Sequence, residues 1–213
     1  PSIHVHMDAV IFEATGYVGN FITRVKCDVG QIEIKHGAAV IATGADELKP
    51  TEYFYGEDDR VLTQLELGDQ LVREDGKLAD ARSLVMIQCV GCRNEDRNYC
   101  ARICCNQSIK NALKLKEINP QMDIYILFRD IRTYGFIEDY YRKASENDVK
   151  FIQYEPADKP RVEAVTAEGR PVLRIAATDP ILGQTLAIDA DILVLAAAVV
   201  PSAGNKTISQ FFK

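Results

Sequence analysis

Buried strands that alternate with helices in the second half of the sequence constrain the fold most strongly. Residues 83–89, SLVMIQC, form a continuous apolar run of strand length, and DIYILF at 123–128 and VKFIQY at 149–154 have the same character. Such runs are typical of parallel strands that are covered on both faces. Helical patterns separate them, at about 100–118 and at 136–148. This order predicts an α/β fold with a parallel sheet and right-handed crossovers.

The rest of the chain has a different rhythm. Residues 8–45 predict a meander of short strands that ends in a buried strand, AAVIATG at 38–44, and a polar connection with at most a short helix follows. A β excursion at 161–179 and a last buried strand at 190–201 complete the pattern. We therefore predict a domain boundary near residue 82.

Composition excludes several classes of protein. The 213 residues carry a formal net charge of -6, which argues against a general nucleic-acid binder, because such proteins normally present a basic face. No apolar run approaches the length of a membrane span, and the start of the sequence lacks the features of a signal peptide. We expect a cytoplasmic protein without direct membrane insertion, in which clustered thiols more often bind metal or do redox chemistry than form disulfides.

Five of the six cysteines lie in one loop, CVGCRNEDRNYCARICC at 89–105. If the helix begins near residue 100, Cys100 and Cys104 lie one turn apart on one face, and Cys105 lies about 100° further round. The unpaired N–H groups and the positive dipole end of the first turns would then stabilise anionic sulfur. Three arginines of the loop would offset further negative charge: Arg93, Arg97 and Arg102.

Four interpretations of this cysteine loop stay open from the residues alone. The thiols could be buried and inert, or Cys89 with Cys92, or Cys104 with Cys105, could form a redox dithiol. A structural zinc ion could be bound by Cys89, Cys92, Cys100 and Cys104, since C-x2-C is a common zinc motif. An iron-sulfur cluster needs four thiolates, which the loop also provides.

The architecture resembles two-domain flavoprotein reductases of the thioredoxin-reductase type, in which a Rossmann-like NAD(P) domain is inserted into an FAD domain. On this resemblance, residues 1–82 are a remnant of the FAD domain, and 83–213 are the inserted domain. The sequence has no G-x-G-x-x-G. The FAD fingerprint would lie upstream of residue 1, so we expect a piece of a longer protein, and the cysteine loop replaces the NAD(P) fingerprint after SLVMIQ.

The cysteine loop and its surroundings also resemble one particular family. IQCVGCRNEDRNYCARICC, IKNALKLKEINP, YILFRDIRTYGFIEDYYRKA and ATGADELKPTEYFYG are similar to the A subunit of heterodisulfide reductase, the FAD and iron-sulfur subunit of methanogens and many anaerobic bacteria. Its relative in the quinone-interacting oxidoreductase of sulfate reducers is similar too. The resemblance implies a 4Fe-4S cluster on Cys89, Cys100, Cys104 and Cys105, with Cys92 where the family usually has Ser.

The resemblance further implies an oxidoreductase component that takes electrons at FAD and passes them toward a disulfide-reducing or quinone-linked partner. Its partners would be the other subunits of that complex. Thr43 and Gly44 would approach the flavin nucleotide, because small residues permit close backbone contact. This chain alone would be inactive and would lack bound FAD. The alternative function is a zinc-stapled interaction domain derived from a flavoprotein reductase.

The pair Arg129 and Asp130 follows the second buried strand, where nucleotide-binding domains place a partner for ribose or phosphate. Without a glycine-rich turn, the sequence favours a surface salt bridge between these two residues instead.

The missing fingerprint generates a prediction about nicotinamide cofactors. A dinucleotide site needs glycines so that its backbone can approach the pyrophosphate, and the cysteine loop has the wrong residues for this contact. NADH and NADPH should therefore bind weakly or not at all. Isothermal titration calorimetry with each cofactor checks this, and a micromolar dissociation constant would contradict it.

Overall fold

The computed structural model describes residues 3–73 and 76–212. The chain forms two compact units, Pro1–Asp46 with Val200–Lys213, and Glu47–Val199. The elements in chain order are β1 (Val10–Tyr17), β2 (Asn20–Cys27), β3 (Gly30–His36), β4 (Ala45–Glu47), β5 (Val61–Thr63), α1 (Gln64–Val72), α2 (Gly76–Asp80), β6 (Ser83–Val90), α3 (Cys104–Ile118), β7 (Asp123–Phe128), a 3-10 turn (Gly135–Ile137), α4 (Glu138–Glu146), β8 (Val149–Gln153), β9 (Arg161–Ala167), β10 (Arg170–Asp179), β11 (Gln184–Ala190), β12 (Ile192–Ala197), β13 (Val199–Pro201) and α5 (Asn205–Phe211).

The first unit contains the predicted meander. β1, β2 and β3 pair antiparallel in sequence order. In β2 the alternate residues Thr23, Val25 and Cys27 are buried, as expected for a strand with one covered face. The meander prediction is confirmed.

The buried strand predicted at 38–44 is wrong. These residues adopt no regular secondary structure, and Val40 is 92% exposed. Within the described part of the chain, no strand pairs with them, so their backbone groups gain no ladder hydrogen bonds and their apolar side chains stay in solvent.

The second unit is built on a five-stranded sheet in the order β5-β12-β6-β7-β8. Every neighbouring pair is parallel. From β6 the chain passes through α3 to β7 and through α4 to β8, and later returns to β12 on the other side of β6. This is the strand order of a Rossmann-like sheet with its reversal at β6, so the predicted α/β class and the parallel sheet are confirmed.

Both faces of this sheet are covered, which explains the continuous apolar run in β6. Leu84 and Met86 pack in one core with Ile109 and Leu115 of α3. Val85 and Ile87 pack in the other core with residues of β10, a strand of the antiparallel sheet that β9, β10 and β11 form. The predicted β excursion is therefore confirmed and covers the second face.

The segment before β6 belongs with this unit by its contacts. β5 pairs with β12, and α1 begins at a capping box in which Thr63 and Glu66 satisfy each other's backbone N–H groups. The compact units thus divide at residues 46 and 199, whereas the sequence placed a boundary near 82. The assignment of 1–82 to an FAD-domain remnant and of 83–213 to an inserted domain stays a prediction.

Across residues 3–73 and 76–212, no helix has the length and apolar character needed to span a membrane.

Candidate metal centre

The cysteine loop lies at the carboxyl end of β6, beside the point where the strand order reverses. The carboxyl ends of β6 and β12 lie side by side, because the N–H of Ala198, directly after β12, donates to the carbonyl of Val90, the last residue of β6, at 2.9 Å. Cys89 and Cys92 pack against Ala198 and the side chain of Leu48. Open α/β sheets bind ligands at this edge, at the position of the strand reversal.

The backbone turns sharply where β6 ends. Cys89, Gly91 and Arg93 all have positive φ angles, of 62°, 73° and 57°. Gly91 suits this position mainly by its conformation, and a Cβ atom there would also lie 2.4 Å from Cδ2 of Leu48, whose side chain would have to move. Non-glycine residues with positive φ are uncommon and tend to occur at functional sites.

The start of α3 differs from the sequence prediction. The helix begins at Cys104, after Ile103 as N-cap, and Arg102 has a φ of 67°, which is incompatible with a helix. Cys100 therefore lies in the loop, and the prediction that Cys100 and Cys104 lie one helical turn apart is wrong. Cys104 and Cys105 do occupy the first turn, where backbone N–H groups lack helical partners.

All five loop cysteines are free thiols gathered in one place. Cys89, Cys92, Cys104 and Cys105 are buried, and Cys100 is half-buried. The thiol of Cys92 donates to Cys89, and the thiol of Cys104 donates to Cys105. Cys100 interacts electrostatically with Cys92, and Cys104 interacts in the same way with Cys89. The structure thus pairs Cys89 with Cys92 and Cys104 with Cys105, and Cys100 lies within electrostatic range of Cys92.

The two hydrogen-bonded pairs divide the thiols into acidic and non-acidic members. The hydrogen bond from Cys92, together with Arg93 and Arg129, lowers the pKa of Cys89 to about 6. The hydrogen bond from Cys104, with a backbone N–H of Arg132, lowers the pKa of Cys105 to about 7. Cys92 and Cys104 donate their protons to Cys89 and Cys105, and this donation, together with burial, raises the pKa of Cys92 and of Cys104. At neutral pH the loop therefore carries anionic sulfur in both pairs.

Cationic groups surround this sulfur. Arg93 Nη1 lies 3.9 Å from Cys89 Sγ, and Arg93 also forms an ion pair with Asp130. Asp130 pairs with Arg132 as well, at 2.9 Å, and its carbonyl oxygen lies 4.0 Å from Cys105 Sγ. These contacts hold the cysteine loop against the end of β7.

The sequence reasoning missed this role of Asp130. The predicted partner Arg129 instead donates to the carbonyl of Arg93 at 3.0 Å. The guanidinium of Arg97 donates to the carbonyl of Gly91 at 3.5 Å. Arg102 contacts a cysteine through its backbone, because its N–H donates to Cys100 Sγ at 3.3 Å. The position of Asp130 at the carboxyl end of β7 was the available signal, because that end lies beside the end of β6.

The donor set consists of thiols only, which suits either an iron-sulfur cluster or zinc. Across residues 3–73 and 76–212, no group of three or more His, Cys, Asp or Glu side chains is arranged to hold a metal ion. The thiols fit a sulfur-ligated centre in their chemistry, because all five are free, four of them are buried, and Cys89 and Cys105 have a lowered pKa.

The predicted flavin contacts Thr43 and Gly44 lie in the other unit. Ser202 Oγ donates to the carbonyl of Thr43 at 3.3 Å, and Asn205 Nδ2 donates to that of Gly44 at 3.4 Å. Gly44 has a φ of 69°, with open space where a Cβ atom would be. Backbone conformation is therefore the reason for glycine here, and contact of either residue with a flavin stays a prediction.

Curated relatives match most of the chain. It is 35% identical over 201 residues to the iron-sulfur A subunit of CoB–CoM heterodisulfide reductase from Methanocaldococcus jannaschii, with 84% of this chain covered. It is 36% identical over 190 residues to the A subunit of the H(2)/formate:CoB-CoM heterodisulfide,ferredoxin reductase from Methanococcus maripaludis, with 79% covered. The chain belongs to the family of heterodisulfide reductase A subunits. The resemblance that the cysteine loop indicated is confirmed.

The match covers only part of each relative. The chain spans 29% of the Methanocaldococcus protein and 27% of the Methanococcus protein. Solved structures that are similar include a thioredoxin reductase of T. acidophilum, at 12% identity and a TM-score of 0.48, over 91% of this chain and 53% of that one. A NAD-dependent persulfide reductase from A. fulgidus matches at 17% identity and a TM-score of 0.45, over 96% and 33%. No family model matches the chain.

The division of the thiols generates a prediction for the reduced, metal-free chain. A titration followed by ultraviolet thiolate absorbance should show ionisation with midpoints at about pH 6 and about pH 7, from Cys89 and Cys105. Cys89→Ser should remove the transition near pH 6, and the control Cys27→Ser should leave it in place, because Cys27 lies in the other unit. A first ionisation above pH 8 would contradict the prediction.

Proposed function

We propose that the chain is the cluster-bearing piece of a heterodisulfide reductase A subunit and acts in electron transfer. Cys89, Cys100, Cys104 and Cys105 would hold one 4Fe-4S cluster. The observation that carries this proposal is the gathering of free, partly ionised thiols at the sheet edge where other Rossmann-like domains bind a dinucleotide. A bound cluster would supply one-electron chemistry. The protein residues would fix its position, exclude water and balance its charge.

Two of the four proposed ligands, Cys89 and Cys105, have a lowered pKa. Cys89 faces the guanidinium of Arg93, and Cys100 accepts a backbone hydrogen bond from Arg102. Cys104 and Cys105 lie in the first turn of α3, where free N–H groups and the helix dipole favour anions. Hydrogen bonds and positive charge lower the free energy of a thiolate relative to its thiol, so Cys89 and Cys105 favour the ligand form, whereas Cys104 would lose its proton when the metal binds.

Cys92 is proposed to support the cluster rather than to bind it. Its thiol donates to Cys89, and a serine hydroxyl at the same position could make the same hydrogen bond. The supporting role also gives the fifth thiol of the loop a function.

FAD, partner subunits and location are part of the same proposal. FAD would bind to the larger protein, with Thr43 and Gly44 in its pocket, and this chain alone would be inactive. Electrons would pass toward a disulfide-reducing or quinone-linked partner. The relatives are named as A subunits of their enzymes, which supports further subunits as partners. A reduced thiol cluster is consistent with a cytoplasmic location.

Two cysteine variants test the ligand set. After anaerobic reconstitution, Cys92→Ser should keep its iron, because serine can replace the hydrogen bond to Cys89. Cys105→Ser should lose most of its iron, because a cubane needs four thiolates. Iron, sulfide and zinc contents of both variants and of the unmodified chain check this.

The zinc alternative predicts the opposite pattern. A C-x2-C zinc site needs Cys92, whereas Cys105 would only pack beside the start of α3. Loss of metal in Cys92→Ser with retention in Cys105→Ser would therefore contradict both the ligand set and the iron-sulfur proposal.

A further inference from the structure

We propose that Arg93, held in place by Asp130, raises the reduction potential of the cluster through Cys89. The inference rests on the proposed function, because it requires a cluster at the cysteine loop. It assigns to Arg93 and Asp130 a role in setting how readily the centre accepts an electron. Neither residue would ligate the cluster.

The guanidinium of Arg93 is fixed between an anion and a sulfur. Its Nη1 is the atom that pairs with Asp130 Oδ1, and the same atom lies 3.9 Å from Cys89 Sγ. The side chain is 22% exposed. Because one end of the contact is a carboxylate, the positive charge has a fixed position beside Cys89.

The backbone of Arg93 is fixed as well. Its N–H donates to the carbonyl of Arg97 at 2.7 Å, and its carbonyl accepts from Arg129 at 3.0 Å. Its φ is positive, a backbone conformation that few residues other than glycine adopt. These contacts limit the alternative positions that the side chain can reach.

Asp130 connects two sides of the cysteine group. Its carboxylate binds Arg93, which faces Cys89, and its carbonyl oxygen lies 4.0 Å from Cys105 Sγ. Arg132 pairs with the other carboxylate oxygen at 2.9 Å and so offsets the negative charge of Asp130. The carboxylate can therefore hold Arg93 in place without making this side of the site anionic.

Arg93 differs in this respect from the other loop arginines. Arg97 directs its guanidinium to the carbonyl of Gly91, and Arg102 contacts Cys100 through its backbone N–H. In the described part of the chain, Arg93 is the arginine whose guanidinium forms a hydrogen bond to a cysteine sulfur.

The effect on the potential follows from charge. Reduction adds one electron to the cluster and its thiolates, and a nearby positive charge or a hydrogen bond to sulfur stabilises the reduced form more than the oxidised form. Partial burial weakens the screening of this interaction by solvent. Removal of the Arg93 charge should therefore lower the potential.

Arg93→Gln in the reconstituted full chain tests the inference, with dithionite as the one-electron donor in a redox titration followed by electron paramagnetic resonance. We expect unchanged iron and sulfide contents and a fall of about tenfold in the equilibrium constant for reduction, which equals about 59 mV for one electron. Arg142→Gln is the matched control, because Arg142 lies on α4, is 72% exposed and pairs with Asp139. The control should keep the potential of the unmodified chain.

Arg93→Lys separates charge from folding. It keeps the positive charge, so it should bind the cluster and recover most of the shift in potential. Loss of the cluster in Arg93→Gln with retention in Arg93→Lys would support a role for the charge. Three outcomes would overturn the role of Arg93 alone. Arg93→Gln could bind the cluster and keep the potential of the unmodified chain, or Arg142→Gln could show an equal shift in potential. Both Arg93 variants could also lose the cluster. Absence of a cluster from the unmodified chain would overturn the proposed function as well.

Discussion

Parallel pairing of β6 with β7 on one side and β12 on the other is the interaction on which the rest of the structure depends. It buries the β6 side chains on both faces, and it places the ends of three strands at one edge of the sheet. The cysteine loop, Asp130 and Ala198 follow those three ends, so residues far apart in sequence lie in contact. The site is therefore a consequence of strand order, which brings the thiols and their counter-charges together.

Much of this fold could be predicted because its strands carry their own signal. The apolar runs of β6, β7 and β8 reflect burial on two faces, and the structure reproduces them closely. Residues 38–44 have the same composition but remain exposed, since an apolar run forms a strand only where a neighbouring strand can pair with it. The boundary at 82 failed to match the compact units for a related reason, because β5 joins the sheet through a long-range pairing that has no local signature.

The candidate site could be predicted in its chemistry but not in its geometry. Thiol type and spacing identified the cysteine loop and the family, whereas the start of α3 at Cys104 depends on a left-handed Arg102 that the periodicity does not show. The ion pair between Arg93 and Asp130 joins two loops 37 residues apart, so only the shared edge of the sheet, and no local pattern, indicates it. Anionic thiolates in a partly buried site destabilise one another unless cations or hydrogen bonds offset their charge. The cysteine loop therefore needs partners such as Arg93.

Metal and acid-labile sulfide analysis of the anaerobically reconstituted chain tests the central claim most directly. An iron-sulfur centre on the cysteine loop predicts about four iron atoms and about four sulfides per chain, with a brown colour from thiolate-to-iron charge transfer. A colourless chain with one tightly bound zinc ion and no sulfide would contradict the claim and would favour a zinc-stapled domain.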